Sequence, residues 1–165
     1  MGERLKGKVV FLSGAGSFGP GWGNGKAAAV SMAREGARVF ALDISRDAVE
    51  ETAAIIRDEG GTDETAVCDV SKGDQVQAAV AACMAAIDRI AVLDNNVGII
   101  DPGGPEDLTE AQLDRLMAVK GKSIFLTRKH VLPILVAQRG GSIINISSIA
   151  STRSLGYSCS LKLWK

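Results

Sequence analysis

The sequence has no excess of charge of either sign. Its 165 residues include 19 basic and 19 acidic side chains, so the formal net charge is zero. A chain without a net positive field has no general attraction for nucleic acid or for an anionic membrane surface, and neither partner is predicted. The opening segment, MGERLKGKVV, also lacks an apolar run long enough for a signal peptide or a membrane span.

Cysteine and histidine are scarce. The three cysteines, Cys68, Cys83 and Cys159, are odd in number and fit no zinc-binding spacing. No metal site is therefore predicted, and the expected location is the reducing cytoplasm. The single histidine, His130, is expected on a helix surface or half buried rather than in catalysis.

Short apolar segments alternate with longer helical segments along the chain. The strand-like segments cover residues 8–13, 37–43, 64–70, 90–98 and 140–148, and the helical ones cover residues 25–36, 45–61, 72–88 and 109–135. Ser45 and Thr109 are predicted helix N-caps, the latter with Glu110 and Gln112 close behind it. This alternation predicts an α/β fold, a doubly wound (Rossmann-like) parallel sheet of about five strands with helices on both faces.

A glycine-rich segment, GAGSFGPGWGNGK, lies between the first predicted strand and the first predicted helix. It holds six glycines in thirteen positions. At that place in a doubly wound sheet, glycines let the backbone approach a diphosphate, and the helix N-terminus offers N–H groups and partial positive charge. The alternative is a flexible surface loop. We predict a dinucleotide site whose cofactor-binding residues here are Gly14, Gly16, Gly23, Asn24 and Gly25.

Three further residues stand near this segment or near a strand end. Asp43 ends the second predicted strand, 20 residues after Gly23. A carboxylate there accepts hydrogen bonds from an adenosine ribose and repels a 2′-phosphate, so the predicted cofactor is NAD; the alternative is a capping or turn aspartate. Asp94 ends a predicted strand in a crevice, a place that can perturb the pKa of a carboxyl group, but the favoured interpretation is a solvated turn residue. Trp22 either covers the cofactor or anchors the glycine loop against the helix.

Several motifs together resemble the short-chain dehydrogenase/reductase family. The glycine segment resembles that family's T-G-x-x-x-G-x-G, although eight residues separate Gly14 from Gly23 where the family pattern has three. CDV (residues 68–70) resembles the family's Asp-Val pair, NNVG (residues 95–98) its N-N-A-G, and GSIINISSIAS its fifth strand with the catalytic serine. The motifs follow in the family's order, from residue 5 to about residue 156.

The resemblance implies roles for residues outside the glycine segment. Asp69 and Val70 would lie by the adenine ring, Asn96 and Gly98 on the nicotinamide side, and Ser148 would hydrogen-bond the substrate oxygen. The implied activity is hydride transfer between NAD and a secondary alcohol or carbonyl compound, a small-molecule substrate.

The catalytic part of the resemblance is incomplete. Lys120 stands where the family has an asparagine, and a lysine cannot accept a hydrogen bond. The family's Tyr-x-x-x-Lys is represented by Tyr157 and Lys162, which are five residues apart and would not share a helix face. Tyr157 is either the catalytic tyrosine after a shortened loop or a loop residue, and the alternative function is an NAD-binding module without turnover.

The resemblance also implies a longer chain. Family members continue through a further helix, two strands and a substrate-covering segment. We therefore expect residues 1–165 to form a single NAD-binding domain of a truncated or divergent member, with an open apolar edge on the fifth strand. Such an edge invites pairing with another chain, so a homo-oligomer is expected.

Overall fold

Strands and helices alternate from the first strand to the last. The computed structural model describes residues 2–101 and 106–148. The strands in this part are β1 (Val9–Ser13), β2 (Arg38–Asp43), β3 (Thr62–Val67), β4 (Val92–Asn95) and β5 (Ser142–Asn145). The helices are α1 (Asn24–Arg34), α2 (Arg46–Asp58), α3 (Gly73–Ile87), α4 (Glu110–Met117) and α5 (Ser123–Ala137), with a π-helical turn, Ala118–Lys122, between the last two.

The five strands form one parallel sheet. Their order is β3-β2-β1-β4-β5, and every neighbouring pair is parallel. The chain extends the sheet from β1 through β2 and β3, then returns to place β4 on the other side of β1. This reversal is the switch point at which doubly wound sheets bind ligands, outside the carboxyl ends of the strands. The predicted fold class is confirmed.

Both faces of the sheet are buried. Val9 and Phe11 of β1 pack into one apolar cluster with residues of α3 and α5. Val10 and Leu12 pack into a second cluster with residues of α1 and α2. Each of these four side chains is at most 2% exposed. A strand buried on both faces needs apolar residues at every position, which explains why this segment is a continuous apolar run and not an alternating one.

Two of the predicted helix caps are present. The Ser45 side chain accepts a hydrogen bond from the Ala48 N–H at the start of α2. Thr109 and Gln112 form a reciprocal capping box at the start of α4. Each of these side chains satisfies backbone N–H groups that have no partner inside the helix, so both helix starts were readable from local sequence.

The structure differs from the sequence expectation at several element ends and within one helix. The helix predicted over residues 109–135 is continuous but contains the π-helical turn, where Gly121 lies, and it runs on to Ala137. Pro133 is inside α5, where its missing N–H removes one bond of the helix. β3 ends at Val67, so Cys68 begins the segment that follows the strand.

The edge of the sheet formed by β5 has no neighbour among the residues that the structure describes. β5 pairs with β4 alone, and its side chains are half buried or exposed. No helix in the described ranges is long and apolar enough to cross a membrane.

A single added methyl group at Gly25 is expected to destabilise the domain. An alanine Cβ there would lie 1.7 Å from the backbone oxygen of Gly14, so the helix or the turn must move. We expect Gly25→Ala to lower the free energy of unfolding by about 1–3 kcal/mol or more, measured by denaturant titration followed by circular dichroism.

The matched control is Gly73→Ala at the start of α3. Its Cβ would meet only the Leu126 side chain, at 3.4 Å. This variant should be neutral or slightly stabilised, since alanine restricts the unfolded chain more than glycine does. Equal stability of the two variants would show that the contact between Gly14 and Gly25 is not tight.

Candidate cofactor and active site

The carboxyl ends of the strands gather most of the predicted site residues. Ser13, the last residue of β1, is in register with Leu42 of β2 and Asn95 of β4. Asn95 is in register with Asn145 of β5. Asp43 is the last residue of β2, and the segments that follow the other four strands carry the glycine turn, Asp69, Asn96 and Ser148. Parallel pairing therefore brings residues from five separate parts of the chain to one edge of the sheet.

The turn after β1 is built on Gly14. Its φ of +77° lies in the left-handed region, which glycine adopts without steric cost. The N–H groups of Gly14 and Ala15 both donate to the Leu42 carbonyl, at 2.8 and 2.9 Å. The Thr52 hydroxyl of α2 donates to the Ala15 carbonyl at 2.8 Å and is fully buried. These bonds hold the turn over the end of β2.

The N-terminus of α1 meets this turn without a side-chain cap. Gly23 is the N-cap residue and makes no side-chain hydrogen bond to the helix, and Asn24 is the first helical residue. The helix begins with N–H groups that its own carbonyls cannot satisfy, and its dipole places partial positive charge there. An anion such as a diphosphate would be stabilised at this end of α1.

Asp43 is held beside the glycine turn. Its Oδ2 accepts a hydrogen bond from the Gly16 N–H at 2.9 Å, and its Oδ1 accepts one from the Ser45 N–H at 3.0 Å. A side chain at Gly16 would place its first carbon 2.6 Å from the Cβ of Ala48, so only glycine fits this contact. A carboxylate has about four acceptor sites, so two remain for hydroxyl groups of a ligand.

Sequence reasoning missed Lys26. Its side chain is 2% exposed, and its Nζ donates to the Gly21 carbonyl at 3.0 Å and to Glu51 Oε1 at 2.7 Å. Lys26 shares the buried face of α1 with Ala29, Val30 and Ala33. The spacing of this lysine, three, four and seven residues before apolar positions, indicates that it lies on the buried face of the helix. A buried ammonium group needs hydrogen-bonding or charged partners, so the spacing was a readable signal.

Asp69 and Val70 follow β3, and their side chains have different surroundings. Asp69 Oδ1 accepts hydrogen bonds from the N–H and the hydroxyl of Ser71, at 2.9 and 2.7 Å, and its N–H donates to Gln75 at 2.8 Å. The Val70 side chain is 5% exposed and belongs to the apolar core. Only the backbone of Val70 is available to a ligand, because its side chain is used in packing.

The NNVG segment supports the sheet through its first asparagine. Asn95 accepts a hydrogen bond from the Thr127 hydroxyl of α5 at 2.7 Å and donates to Asn145 of β5 at 2.9 Å. This chain of three side chains joins α5, β4 and β5. Asn96 is half buried, with its N–H donating to the Ser13 carbonyl at 3.1 Å, while Gly98 is exposed.

The interpretation of Asp94 as a solvated turn residue is wrong. Asp94 lies within β4, in register with Leu12 of β1 and Ile144 of β5, and is 1% exposed. Its Oδ1 has no hydrogen-bond partner among the described residues. Burial raises the pKa of Asp94 to about 6, and a hydrogen bond from the Asn96 side chain opposes that rise only in part. Asp94 is thus enclosed between β1 and β5 and does not lie in the polar turn that follows the strand.

One of the three predicted catalytic residues lies among the residues that the structure describes. Ser148 follows β5 and is exposed, whereas Tyr157 and Lys162 lie outside the described residues. Lys120 is half buried in the π-helical turn. Burial lowers its pKa, and the negative charge of Asp101 opposes that shift. The helix geometry therefore changes at the position where the resemblance places a catalytic residue. π-Helical turns of this kind are frequent at functional sites.

The strand order and the glycine turn define a Rossmann-like domain. The family model for short chain dehydrogenases matches residues 8–160. The chain therefore belongs to the short-chain dehydrogenase family, whose members generally bind NAD or NADP and act as oxidoreductases on small molecules.

Individual relatives agree with this assignment. The dehydrogenase/reductase SDR family member 6 of Aquarana catesbeiana is 41% identical over 149 residues, which are 90% of this chain and 55% of that protein. A crystal structure of a short-chain dehydrogenase/reductase from Burkholderia xenovorans superimposes with a TM-score of 0.95 at 40% identity, covering 99% of this chain and 65% of that one.

An NAD⁺-bound xylitol dehydrogenase structure superimposes with a TM-score of 0.88 at 28% identity, covering 96% of this chain and 59% of that one. The chain spans little more than half the length of the curated relatives it matches.

Removing the Asp94 charge should change how stability depends on pH. A carboxyl group whose pKa is raised on folding stabilises the fold while protonated, and this contribution is lost as pH rises from about 4 through about 6. A shift of about two pKa units corresponds to about 3 kcal/mol. Asp94→Asn should therefore lose most of this pH-dependent fall and be more stable than wild type at pH 8, as measured by urea unfolding at several pH values.

Asp88→Asn is the control, since Asp88 is an exposed C-cap residue of α3 and its loss does not touch the core. A stability profile of Asp94→Asn that is parallel to the wild-type profile from pH 4 to pH 8 would contradict the assignment of a buried, titrating carboxyl group.

Proposed function

We propose that this protein is an NAD-dependent oxidoreductase that transfers a hydride between the nicotinamide ring and a secondary alcohol or carbonyl compound. The observation that carries the proposal is the placement of Asp43 beside the glycine turn and the uncapped N-terminus of α1. A fixed carboxylate next to an anion-binding helix end matches the ribose and diphosphate of one dinucleotide.

The described residues fit such a cofactor. The backbone at Gly14, Gly16, Gly23, Asn24 and Gly25 would hold the diphosphate. A Cβ at each of the four glycines would meet neighbouring atoms, which include backbone at Gly14, Gly23 and Gly25 and the Asp43 carboxylate at Gly16. Asp43 would accept hydrogen bonds from the adenosine ribose. Asp69 and the backbone of Val70 would border the adenine, and Asn96 and Gly98 the nicotinamide side.

Asp43 also favours NAD over NADP. Both carboxylate oxygens already accept backbone N–H groups, which orient the carboxylate and keep its charge at the end of β2. A 2′-phosphate on the ribose would bring a second negative charge to the same place, and like charges brought together cost several kcal/mol.

The chemistry divides between the cofactor and the protein. When bound, the nicotinamide ring supplies or accepts the hydride. Ser148 would donate a hydrogen bond to the substrate oxygen. Tyr157 would carry the proton that the oxygen gains or loses, and Lys162 would favour the deprotonated tyrosine through its positive charge. Lys120, in the π-helical turn, stands where the family has an asparagine. Its ammonium group cannot accept a hydrogen bond as the side-chain oxygen of an asparagine does.

The cellular setting follows from two observations. Cys68 and Cys83 are buried free thiols, and burial raises their pKa values to about 11 and about 12. Unreactive, unpaired thiols support a reducing cytoplasm as the location. The exposed apolar side chains of Phe125 and Leu132 on α5 support a homo-oligomer.

Cofactor preference should depend on Asp43. We expect wild type to bind NADH more tightly than NADPH, and Asp43→Asn to narrow this preference by about tenfold, because the charge repulsion is removed while one amide oxygen still accepts the Gly16 N–H. Isothermal titration calorimetry gives both dissociation constants. Asp47→Asn, in the exposed first turn of α2, controls for a general change in charge. An unchanged ratio would refute the role of Asp43.

Turnover should depend on Tyr157. Tyr157→Phe is expected to lower kcat by a factor of about 10² to 10⁴. The NADH dissociation constant should stay unchanged, because the substitution removes only the hydroxyl group that would carry the proton. The assay follows NADH formation with a panel of secondary alcohols.

A second candidate function, dinucleotide binding without turnover, is favoured by Lys120 and by the five-residue spacing of Tyr157 and Lys162. Wild type that binds NADH but oxidises no alcohol and reduces no carbonyl compound would support that function and exclude the first.

A further inference from the structure

The lengthened part of the glycine segment carries two exposed aromatic rings. Residues 17–23, which we call the aromatic loop, connect the glycine turn to α1. Phe18 has a relative exposure of 108% and Trp22 of 59%. Between them lie two glycines and a proline, so the rings are the only large apolar side chains of the loop. A fully exposed phenylalanine ring buries no apolar area in the folded chain.

The aromatic loop nevertheless has a defined shape. The Ser17 hydroxyl accepts a hydrogen bond from the Gly23 N–H at 2.7 Å and donates to the Gly21 carbonyl at 3.2 Å, which closes the two ends of the loop. Lys26 of α1 donates to the same Gly21 carbonyl, and Glu51 of α2 accepts from Lys26. A buried lysine therefore anchors the loop to both helices.

The ends of the aromatic loop lie at two parts of the candidate cofactor site. Gly16, one residue before the loop, is hydrogen-bonded to Asp43, and Phe18 is two residues further on, so its Cα lies within about 7 Å of that of Gly16. Gly23, the last loop residue, is the N-cap of α1, and Trp22 precedes it. The loop thus spans from the carboxylate proposed for the ribose to the helix end proposed for the diphosphate.

We propose that the aromatic loop is a cover over the adenosine half of the bound dinucleotide, in which Phe18 packs on the adenosine and Trp22 shields the diphosphate. The proposal rests on the proposed function. Aromatic rings bind nucleobases by stacking on their faces, and the exposed rings gain buried area only when a ligand is present. Lys26 is a positioning residue, because it sets the place of Gly21 and does not itself face the crevice.

The test uses Phe18→Ser in the full chain. Because Phe18 is exposed, the variant should keep the wild-type unfolding midpoint, while its dissociation constants for NADH and for ADP-ribose should both rise by about five- to tenfold. ADP-ribose carries the adenosine half without nicotinamide. Phe125→Ser removes another exposed phenylalanine, on α5, and should leave both constants unchanged.

The outcomes separate the two proposals. If wild type binds both probes and Phe18→Ser has the same dissociation constants as wild type, the proposed cover is overturned and the dinucleotide site remains. A loss confined to NADH would also overturn it, because the ring would then act on the nicotinamide half. Wild type that binds neither probe would overturn the proposed function itself.

Lys26 and Trp22 give an independent measurement. In a Trp164→Phe background Trp22 is the remaining tryptophan, and its emission should be quenched by bound NADH. Lys26→Met should weaken NADH binding at least fivefold and reduce this quenching at saturation, and Lys26→Arg should restore both, since a guanidinium also donates to Gly21 and Glu51. Full quenching in a folded Lys26→Met protein would contradict the positioning role.

Discussion

The contact between the backbone of Gly14 and the first turn of α1 is the constraint on which the candidate site depends. Gly25 has no side chain, so the helix begins directly against the turn that leaves β1. The left-handed φ of Gly14 directs the turn onto the carbonyl of Leu42, the residue before Asp43. One backbone arrangement therefore sets the distance between a positively polarised helix end and a carboxylate. The proposed NAD site uses both groups, and neither element supplies them alone.

The carboxyl edge of the sheet is where the protein departs from apolar packing. The interior of β1 and β2 is apolar on both faces, whereas the second half of β4 consists of buried Asp94 and Asn95. Asn95 is satisfied by Thr127 and Asn145, so it ties the sheet to α5 at little cost. Asp94 keeps one oxygen without a partner among the described residues, and its ionised form opposes folding. Stability is thus lowered next to the candidate site, as is common where function sets local requirements.

The cofactor half and the catalytic half of the site have separate origins in the chain. The residues proposed to hold the dinucleotide follow β1, β2, β3 and β4, all within the first 98 positions. The residues proposed to move the proton follow β5. Departures from the family pattern occur in both halves, but they are of different kinds. In the cofactor half a longer loop is anchored by Lys26, whereas in the catalytic half Lys120 replaces an acceptor with a donor.

Local sequence determined the fold class, two helix caps and the glycine turn. Apolar runs of β-branched residues between amphipathic helices permit little besides a parallel sheet, and Ser45, Thr109 and Gly14 act through neighbours a few residues away. The ribose role of Asp43 and the catalytic roles of Ser148, Tyr157 and Lys162 stay predictions. Lys26 was missed although its place on the apolar face of α1 was readable, while its partner Glu51 reaches it only when α1 and α2 pack. Asp94 was misassigned because its burial depends on β1, β4 and β5 lying side by side. Burial and long-range hydrogen bonds are properties of packed elements, so only the tertiary structure decided them.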